Sequence, residues 1–390
     1  MTLFSKHYKH TDRPHKLCSL SVLIIGCLAV FIVSPLDCAA QKPASTPLFA
    51  SATDTVTGAL SCDIDATTFF RDAEFFMPFT KGYTASGFRL APVLRYNIND
   101  KASIRGGVLF TGIAGSTGLW KVEPIVTLRY QPTQWLRLTM GTIDGNLCHH
   151  LDEPLYNRER WVYDYKEDGL QIQTHTRHWE SDTWLDWEHF LEPWTPDQEQ
   201  FTLGTRQQFR FHGDNWSVQL PFSFLGTHRG GQFSTLDTCI ETLFNGSAGL
   251  GCGYRNDRFA LDLTLPAYFY KKATSAPETH LPFDQGWGIY PQLSGTLTLP
   301  QFSIHLVCGY WYGHHFISSR GSHLFQSTSW FDPNFCQAER HLATFDISIS
   351  HCYRQLDFAI DAQFYYDPDH RKLDLAVGIA MRFNKSWRIF

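Results

Sequence analysis

From Phe69 to Phe383 the sequence alternates between tight polar turns and long polar loops, with amphipathic segments between them. Two such segments and one long loop separate each tight turn from the next. A soluble two-layered sheet has no reason to keep its tight turns at one end, whereas an outer-membrane barrel has short turns inside and longer loops outside. The tight turns are predicted at Asn97–Lys101, Gln131–Gln134, Trp179–Asp182, His212–Asn215, Arg255–Arg258, Pro300–Gln301 and Cys352–Gln355.

Alternating apolar and polar residues mark the individual strands. Phe88, Leu90 and Leu94 share one face of a segment whose other face carries Arg89 and Arg95. The segments run to roughly 10 to 13 residues, which is enough to cross a bilayer at a tilt. We therefore predict an all-β protein, a transmembrane antiparallel up-and-down β-barrel of about 16 strands, with 14 to 18 compatible with the pattern.

Aromatic residues lie on the apolar face beside the tight turns, as an interfacial girdle requires. An aromatic content of 15% with only 18% charged residues fits a barrel that presents rings to lipid. The net charge of −5 and the lack of a basic run exclude a nucleic-acid partner. The girdle residues are Tyr96, Tyr130, Phe211, Trp216, Tyr254, Phe259 and Phe302.

The N-terminal forty residues predict a secretory signal. A basic stretch precedes the apolar run 17–36, and Cys38-Ala39-Ala40 offers small residues for cleavage. An uncleaved anchor is the alternative, because the run approaches spanning length. We expect a cleavable signal peptide (1–40), a short periplasmic segment (41–65) and an outer-membrane β-barrel (66–390).

With its signal segment, strand count, turn asymmetry and girdle, the chain resembles porin-like outer-membrane β-barrel proteins of Gram-negative bacteria. The resemblance implies location in the outer membrane and a channel for passive diffusion of small polar solutes. It also implies outer-membrane lipid, the assembly machinery and a second copy of the chain as partners. Such barrels end in an aromatic residue, but Phe390 is out of step with Phe383, so we expect the last seven residues to form a turn or tail.

The function of a pore depends on its inward face. Inward basic residues predict one wall of the lumen: Arg89, Arg95, Arg105, Lys121, Arg129, Arg137, Arg177, Arg206 and Arg210. Inward acids predict the facing wall: Asp72, Glu74, Glu241, Asp262, Asp346, Asp357, Asp361 and Asp374. We hypothesise a water-filled lumen with opposed charged walls; the alternative is that these charges pair and fill a narrow barrel.

The third external loop is acidic, like the loop that general porins fold into the lumen. We therefore expect a constriction formed by Asp152, Glu153, Asp164, Glu167 and Asp168. The alternative is a solvated loop.

Two other function classes compete with the channel. A surface structural or adhesive barrel would use loop aromatics such as Trp194, Trp330 and Phe331, which we expect instead to anchor loops on the rim. An outer-membrane hydrolase needs converging catalytic groups. The loop candidates for such groups are His149, His150, His314, His315, Ser318, Ser319 and His323, and none has diagnostic spacing. The sequence predicts no enzyme activity, no metal site and no cofactor.

Overall fold

The computed structural model describes residues 56–116, 121–192, 194–195, 197–231, 240–273 and 281–390. The predicted signal peptide lies outside the described residues, so it stays a prediction. The strands are β1 (Leu60–Glu74), β2 (Tyr83–Asn97), β3 (Ala102–Ile113), β4 (Lys121–Thr133), β5 (Leu136–Thr142), β6 (Asp168–His175), β7 (Trp179–His189), β8 (Glu199–His212), β9 (Trp216–Gly230), β10 (Glu241–Arg255), β11 (Phe259–Lys272), β12 (Gln285–Ile289), β13 (Gln292–Thr298), β14 (Ser303–His314), β15 (Glu339–Tyr353), β16 (Leu356–Asp367) and β17 (Lys372–Arg388).

All strands are antiparallel and form one closed sheet in chain order, in which β1 pairs with both β2 and β17. The segments β12 and β13 both pair with β11 and β14, so they are two halves of one interrupted strand. The barrel therefore has sixteen strands, which confirms the predicted fold class. No helix within the described residues is long and apolar enough to cross a membrane.

The long loops all lie at one end of the barrel, which we take as the external end. Three of them matter for function: L1 (residues 75–82), L3 (143–167) and L7 (315–338). L3 contains a 3₁₀ turn at Asn146–His149 and a single helical turn, α1 (Arg160–Tyr163). L7 contains a second 3₁₀ turn at His323–Phe325.

L1, L3 and L7 fold inward and pack against the barrel wall. Because their apolar side chains meet large rings from the strands, the external half of the lumen holds a hydrophobic core. L1 contributes Met77 and Phe79, L3 contributes Ile143 and Leu155, and L7 contributes Phe316 among others. The wall contributes Trp184, Leu225, Leu243, Tyr268, Tyr270, Tyr290, Trp311, Leu342 and Tyr365.

The outer face of the barrel is apolar and exposed, as a lipid-facing surface must be. Leu94, Val126, Leu263 and Leu265 all point outward, and so do the girdle residues Tyr96, Tyr130, Phe211, Trp216 and Phe259.

Three boundaries differ from the sequence-based expectation. β1 begins at Leu60, so six residues assigned to the periplasmic segment belong to the barrel. The expected C-terminal turn or tail is absent, because β17 continues to Arg388 in register with Ser61 of β1. The third tight turn lies at residues 176–178 and not at Trp179–Asp182, which begins β7.

Two buried ion pairs join β1 to its two neighbours, β2 and the closing strand β17. Asp63 of β1 accepts from Arg95 at 3.0 Å, and Asp65 accepts from the Nε of Arg382 of β17 at 3.1 Å. All four side chains are almost fully buried. A buried charge that loses its partner is strongly destabilising, because the remaining charge stays desolvated.

Arg382→Met is expected to lower the free energy of unfolding by about 3–5 kcal/mol, since it leaves Asp65 unpaired. Thermal unfolding in detergent, followed by circular dichroism, measures the effect. The double variant Asp65→Leu/Arg382→Met should recover much of the loss, and Asp100→Asn in an exposed turn serves as the control. Equal stability of Arg382→Met and wild type would contradict this role of the pair.

Candidate functional site

Eight of the nine predicted basic wall residues face the lumen; seven of them are buried or half-buried, and Lys121 is exposed. Arg129 lies 3.0 Å from Asp144 of L3, and Arg137 lies 3.6 Å from the same carboxylate. The ninth, Arg177, is exposed in a tight turn, so this prediction is wrong; it followed from placing that turn three residues too late. The eight are Arg89, Arg95, Arg105, Lys121, Arg129, Arg137, Arg206 and Arg210.

The prediction of the acidic wall is also correct for most residues and wrong for the rest. Six acids face inward, but Asp72 and Glu74 lie on the outer face of β1, so their assignment to the lumen is wrong. The alternation of β1 turns Arg71 inward and therefore turns Asp72 outward. Charge is tolerated there because the upper end of the strand lies near the headgroups. The inward six are Glu241, Asp262, Asp346, Asp357, Asp361 and Asp374.

L3 forms ion pairs with the barrel wall in both directions. Its Arg158 pairs with the acidic wall, and its Glu159 pairs with an arginine of β1. Arg158 binds Asp346 at 2.8 Å, and Arg71 of β1 bridges Glu159 of L3 and Asp361. The five acids predicted to form a constriction contact tyrosines, bases of L3 itself and neighbouring groups of the wall. Asp152 accepts from Tyr268, Glu153 from Tyr365 and Glu167 from Tyr156, while Asp164 pairs with Arg160 and Asp168 with Lys166.

His149 anchors the deepest part of L3. It is fully buried, and its Nδ1 and Nε2 lie 2.7 Å from Asp182 and 2.8 Å from Glu167. Its ring stacks on Trp184, with centroids 3.5 Å apart. Burial lowers the pKa of His149, but the two carboxylates outweigh burial and raise the pKa to about 10. A protonated imidazole with both nitrogens occupied is a structural clamp, because neither nitrogen is left to act as a base.

The other hydrolase candidates are dispersed. His150 lies with His149 in the lumen, whereas His314 and His315 lie at the rim, where His315 stacks on Phe283 at 4.0 Å. Three candidates do meet: Ser318, Ser319 and His323 line a cavity of about 360 Å³ at the external mouth. Ser319 is exposed, and burial lowers the pKa of His323 to about 4, so its imidazole is neutral at physiological pH.

A groove of about 680 Å³ crosses the outer face of the barrel at the external end of β1, β2, β3 and β17. Its floor is made by small side chains, including Thr68, Ser86 and Gly112, because these pair across adjacent strands with larger neighbours. A Cβ at Gly112 would lie 2.8 Å from the ring of its partner Phe88, so glycine lets this ring lie flat on the sheet. The apolar walls are formed by Phe70, Phe88, Ile379 and Met381.

A polar pair lies directly above the groove toward the external rim. Asp72 follows Phe70 on the outer face of β1, and Thr84 follows Ser86 on the outer face of β2. The two residues are cross-strand partners, and Thr84 donates to Asp72 at 2.6 Å. Glu74 continues the same face one step higher. Over two successive outward-facing positions, the outer wall thus changes from apolar groove residues to a carboxylate–hydroxyl pair. A lipid shows the same change in polarity where its acyl chain meets its ester.

A family model described as lipid A 3'-O-deacylase-type matches residues 50–390. The chain belongs to this family. The match covers all sixteen strands, so it includes both the groove and the lumen.

Solved structures similar to this deacylase-family chain are outer-membrane barrels. A loop-deletion variant of OmpT, an outer membrane protein of Vibrio cholerae, aligns with a TM-score of 0.53 and 10% identity, covering 86% of this chain and 100% of that one. OprD from Pseudomonas aeruginosa aligns with a TM-score of 0.46 and 10% identity, covering 86% and 96%. These likenesses concern the fold alone. A search of curated proteins found no match.

Membership of this family corrects the functional expectation. The prediction that the protein is not an enzyme is wrong, because the family is named for an enzymatic reaction, the removal of an ester-linked acyl chain. The resemblance to outer-membrane barrels is confirmed, and so is the location in that membrane. Within the described residues no group of three or more His, Cys, Asp or Glu side chains suits a metal ion.

Sequence reasoning missed Thr84, Ser86 and Gly112 and placed Asp72 and Glu74 on the wrong face. The missing signal was the alternation of β1, since Asp63 and Asp65 belong to one face and Ile64 to the other. Counting by two from Ile64 reaches Phe70, Asp72 and Glu74 on the lipid side.

His149→Ala is expected to loosen L3, because it leaves Glu167 and Asp182 facing each other without a cation. In wild type the clamp should also weaken with alkali. The folded-state pKa lies above the ordinary value of about 6.5, so this stabilisation is complete below that pH and lost as pH rises toward about 10.

Limited proteolysis within L3, measured between pH 6 and about pH 10.5, tests both expectations. His150→Ala is the matched control, because His150 is not held by two carboxylates. Cleavage of wild-type L3 that does not change with pH, together with unchanged cleavage in His149→Ala, would exclude the clamp.

Proposed function

We propose that this protein is an outer-membrane ester hydrolase that removes an acyl chain from lipid A or a closely related lipid. The observation that carries the proposal is the lipid-facing groove with the Asp72–Thr84 pair at its upper end. The family name supports the reaction class. Lipid A resides in the outer leaflet of the outer membrane, so it meets this part of the wall by lateral diffusion.

The groove accounts for how the substrate is held. Its volume of about 680 Å³ is within the range of small-molecule sites, and its walls are apolar. Each methylene that leaves the bilayer for the groove exchanges one apolar environment for another, so binding costs little. An acyl chain that follows the groove upward brings its ester to the level of Asp72 and Thr84.

Asp72 supplies the base. Ester hydrolysis requires a water molecule whose proton is removed as its oxygen adds to the acyl carbonyl carbon. Asp72 takes that proton and returns it to the sugar oxygen when the ester bond breaks, which leaves a free fatty acid and a sugar hydroxyl. Thr84 orients the carboxylate through the 2.6 Å hydrogen bond, and its side chain is exposed on the same face.

A diffusion channel is the second candidate function. Cavities of about 520 Å³ and 240 Å³ lie in the lumen, the first at the external mouth and the second among the inner faces of β5 to β8, and polar side chains line both. The hydrophobic core between L1, L3, L7 and the wall opposes this function, because its packed side chains occupy much of the external half of the lumen. The hydrolase is therefore the better supported function.

Asp72→Asn is expected to reduce acyl-chain release from lipid A by at least about 100-fold, because a neutral amide cannot accept the proton. Release of fatty acid from lipid A in detergent micelles, followed by mass spectrometry, measures this. Ser86→Trp should also abolish release, because the indole fills the groove.

The matched controls are Asp357→Asn, an inward acid away from the groove, and His323→Ala in the mouth cavity. Full activity of Asp72→Asn together with loss in His323→Ala would move the site to the mouth cavity. No release by the wild type from any acylated glucosamine lipid would overturn the proposed reaction.

Liposomes that contain the wild-type barrel are expected not to swell in small sugars, because L1, L3 and L7 pack a hydrophobic core into the external half of the lumen. Deletion of residues 151–163 from L3 should permit swelling. Rapid swelling with the wild type would favour the channel over the hydrolase.

A further inference from the structure

We propose that the mouth cavity is a binding site for one uncharged sugar ring of a saccharide. The cavity is formed by the upper ends of β8, β9 and β10 together with L7. It lies across the barrel from the groove, because β9 is eight strands from β1 in either direction around the ring. The proposal therefore goes beyond the proposed function and does not depend on it.

Trp330 supplies an aromatic wall. It lines the cavity, is 65% exposed, and its ring lies 6.4 Å from the ring of His323, centroid to centroid. The C–H face of a sugar ring is apolar, so it packs on an indole while the hydroxyls stay free for hydrogen bonds. The expected anchoring of L7 on the rim comes from the main chain, since the N–H of Trp330 donates to the carbonyl of Phe79 at 2.9 Å.

His323 has a polar atom for which the protein offers no partner. Its Nδ1 is buried and makes no hydrogen bond to the part of the chain that the structure describes, although the residue lines the cavity. Buried polar atoms are almost always hydrogen-bonded, so this nitrogen calls for a partner from outside the chain. Because burial lowers the pKa of His323 to about 4, the imidazole is neutral, and one ring nitrogen donates while the other accepts.

Hydroxyl groups form the floor of the cavity where L7 meets β9. Thr227 of β9 donates to Ser319 of L7 at 2.8 Å, and Ser319 is exposed. A hydroxyl both donates and accepts, so Ser319 can also bond to a hydroxyl of a ligand. This chemistry suits a polyol.

The charges that line the cavity occur in pairs of opposite sign. Arg229 and Glu241 are cross-strand partners on β9 and β10, one inward position above Thr227. Arg320 of L7 pairs with Glu188 of β7. Because the charges balance, the cavity favours an uncharged ligand over an ion, and sugar hydroxyls can donate to the carboxylate and accept from the guanidinium.

L7 is held in its position by internal hydrogen bonds. The buried side-chain amide of Gln326 donates to the carbonyl of Ser318 at 2.8 Å and to that of Gly321 at 3.0 Å. The N–H of Ser327 donates to the carbonyl of Phe316 at 2.8 Å. A cavity of about 360 Å³ that exists before a ligand arrives is within the range of small-molecule sites and avoids the entropic cost of ordering a loop.

The test uses the full-length protein in lauryldimethylamine oxide, a detergent without a sugar headgroup. Saturation-transfer NMR measures binding of glucose, galactose and N-acetylglucosamine, with glucuronate as the charged comparison. Competition by lipopolysaccharide and by its lipid-free polysaccharide identifies the source of the sugar. Displacement by both forms indicates a surface polysaccharide, displacement by the intact form alone a membrane glycolipid, and displacement by neither a free sugar.

Trp330→Ala is expected to weaken sugar binding by about three- to tenfold, because it removes the aromatic wall. His323→Phe should weaken binding by a similar factor without lowering thermal stability, because the nitrogen that it removes has no partner in the described part of the chain. Phe331→Ala is the matched control, since this neighbouring ring lies against Lys81 and does not line the cavity. Ser86→Trp, which fills the groove, should leave sugar binding unchanged.

The proposal fails if the wild type binds none of the three uncharged sugars at about 10 mM, ten times a Kd of about 1 mM. Unchanged affinity in both Trp330→Ala and His323→Phe would also overturn it, as would tighter binding of glucuronate than of glucose. Sugar binding by a protein that releases no fatty acid from lipid A would reject the proposed reaction and leave this site standing.

Discussion

The structure depends on the requirement that every backbone hydrogen bond be satisfied within the sheet, since lipid offers none. The pairing of β1 with β17 meets this requirement along fourteen residue pairs, from Ser61 to Glu74, and leaves no free edge. The buried pair Asp65–Arg382 lies at this seam and Asp63–Arg95 joins β1 to β2 beside it, so closure and the charge of the inner wall are set together. Once the sheet is closed, strict alternation assigns every strand residue to the lumen or to lipid.

Closure alone does not decide the function, because a sixteen-strand barrel is wide enough to hold water. In this protein, L1, L3 and L7 occupy much of the lumen. L3 is tied down by His149 between two carboxylates and by Arg158 on Asp346, while L7 contributes Phe316 and Phe325 to the core. Four of the fourteen inward charges that sequence alone suggests as opposed walls contact L3 directly, so part of both walls holds this loop in the lumen: Arg89, Arg129, Arg137 and Asp346.

Because L1, L3 and L7 pack into the lumen, we place the proposed chemistry on the outer wall. The groove and the Asp72–Thr84 pair follow one another upward along β1 and β2. An apolar surface followed by a carboxylate and a hydroxyl matches the order of acyl chain and ester in a lipid of the outer leaflet. Asp72, Thr84 and the outward-facing residues of the groove meet lipid and not the lumen.

The sequence by itself determined the barrel, its approximate strand number and the end at which the long loops lie, because period-two alternation and turn composition are local properties. It also identified most inward charges, such as Arg89, Arg105 and Asp361. Only the tertiary structure decided which partners those charges meet, because Arg71 and Glu159 are 88 residues apart and Arg158 and Asp346 are 188 apart. The face of Asp72 was readable in principle, but its importance was not, since the groove below it exists only where β17, β1, β2 and β3 are joined by closure.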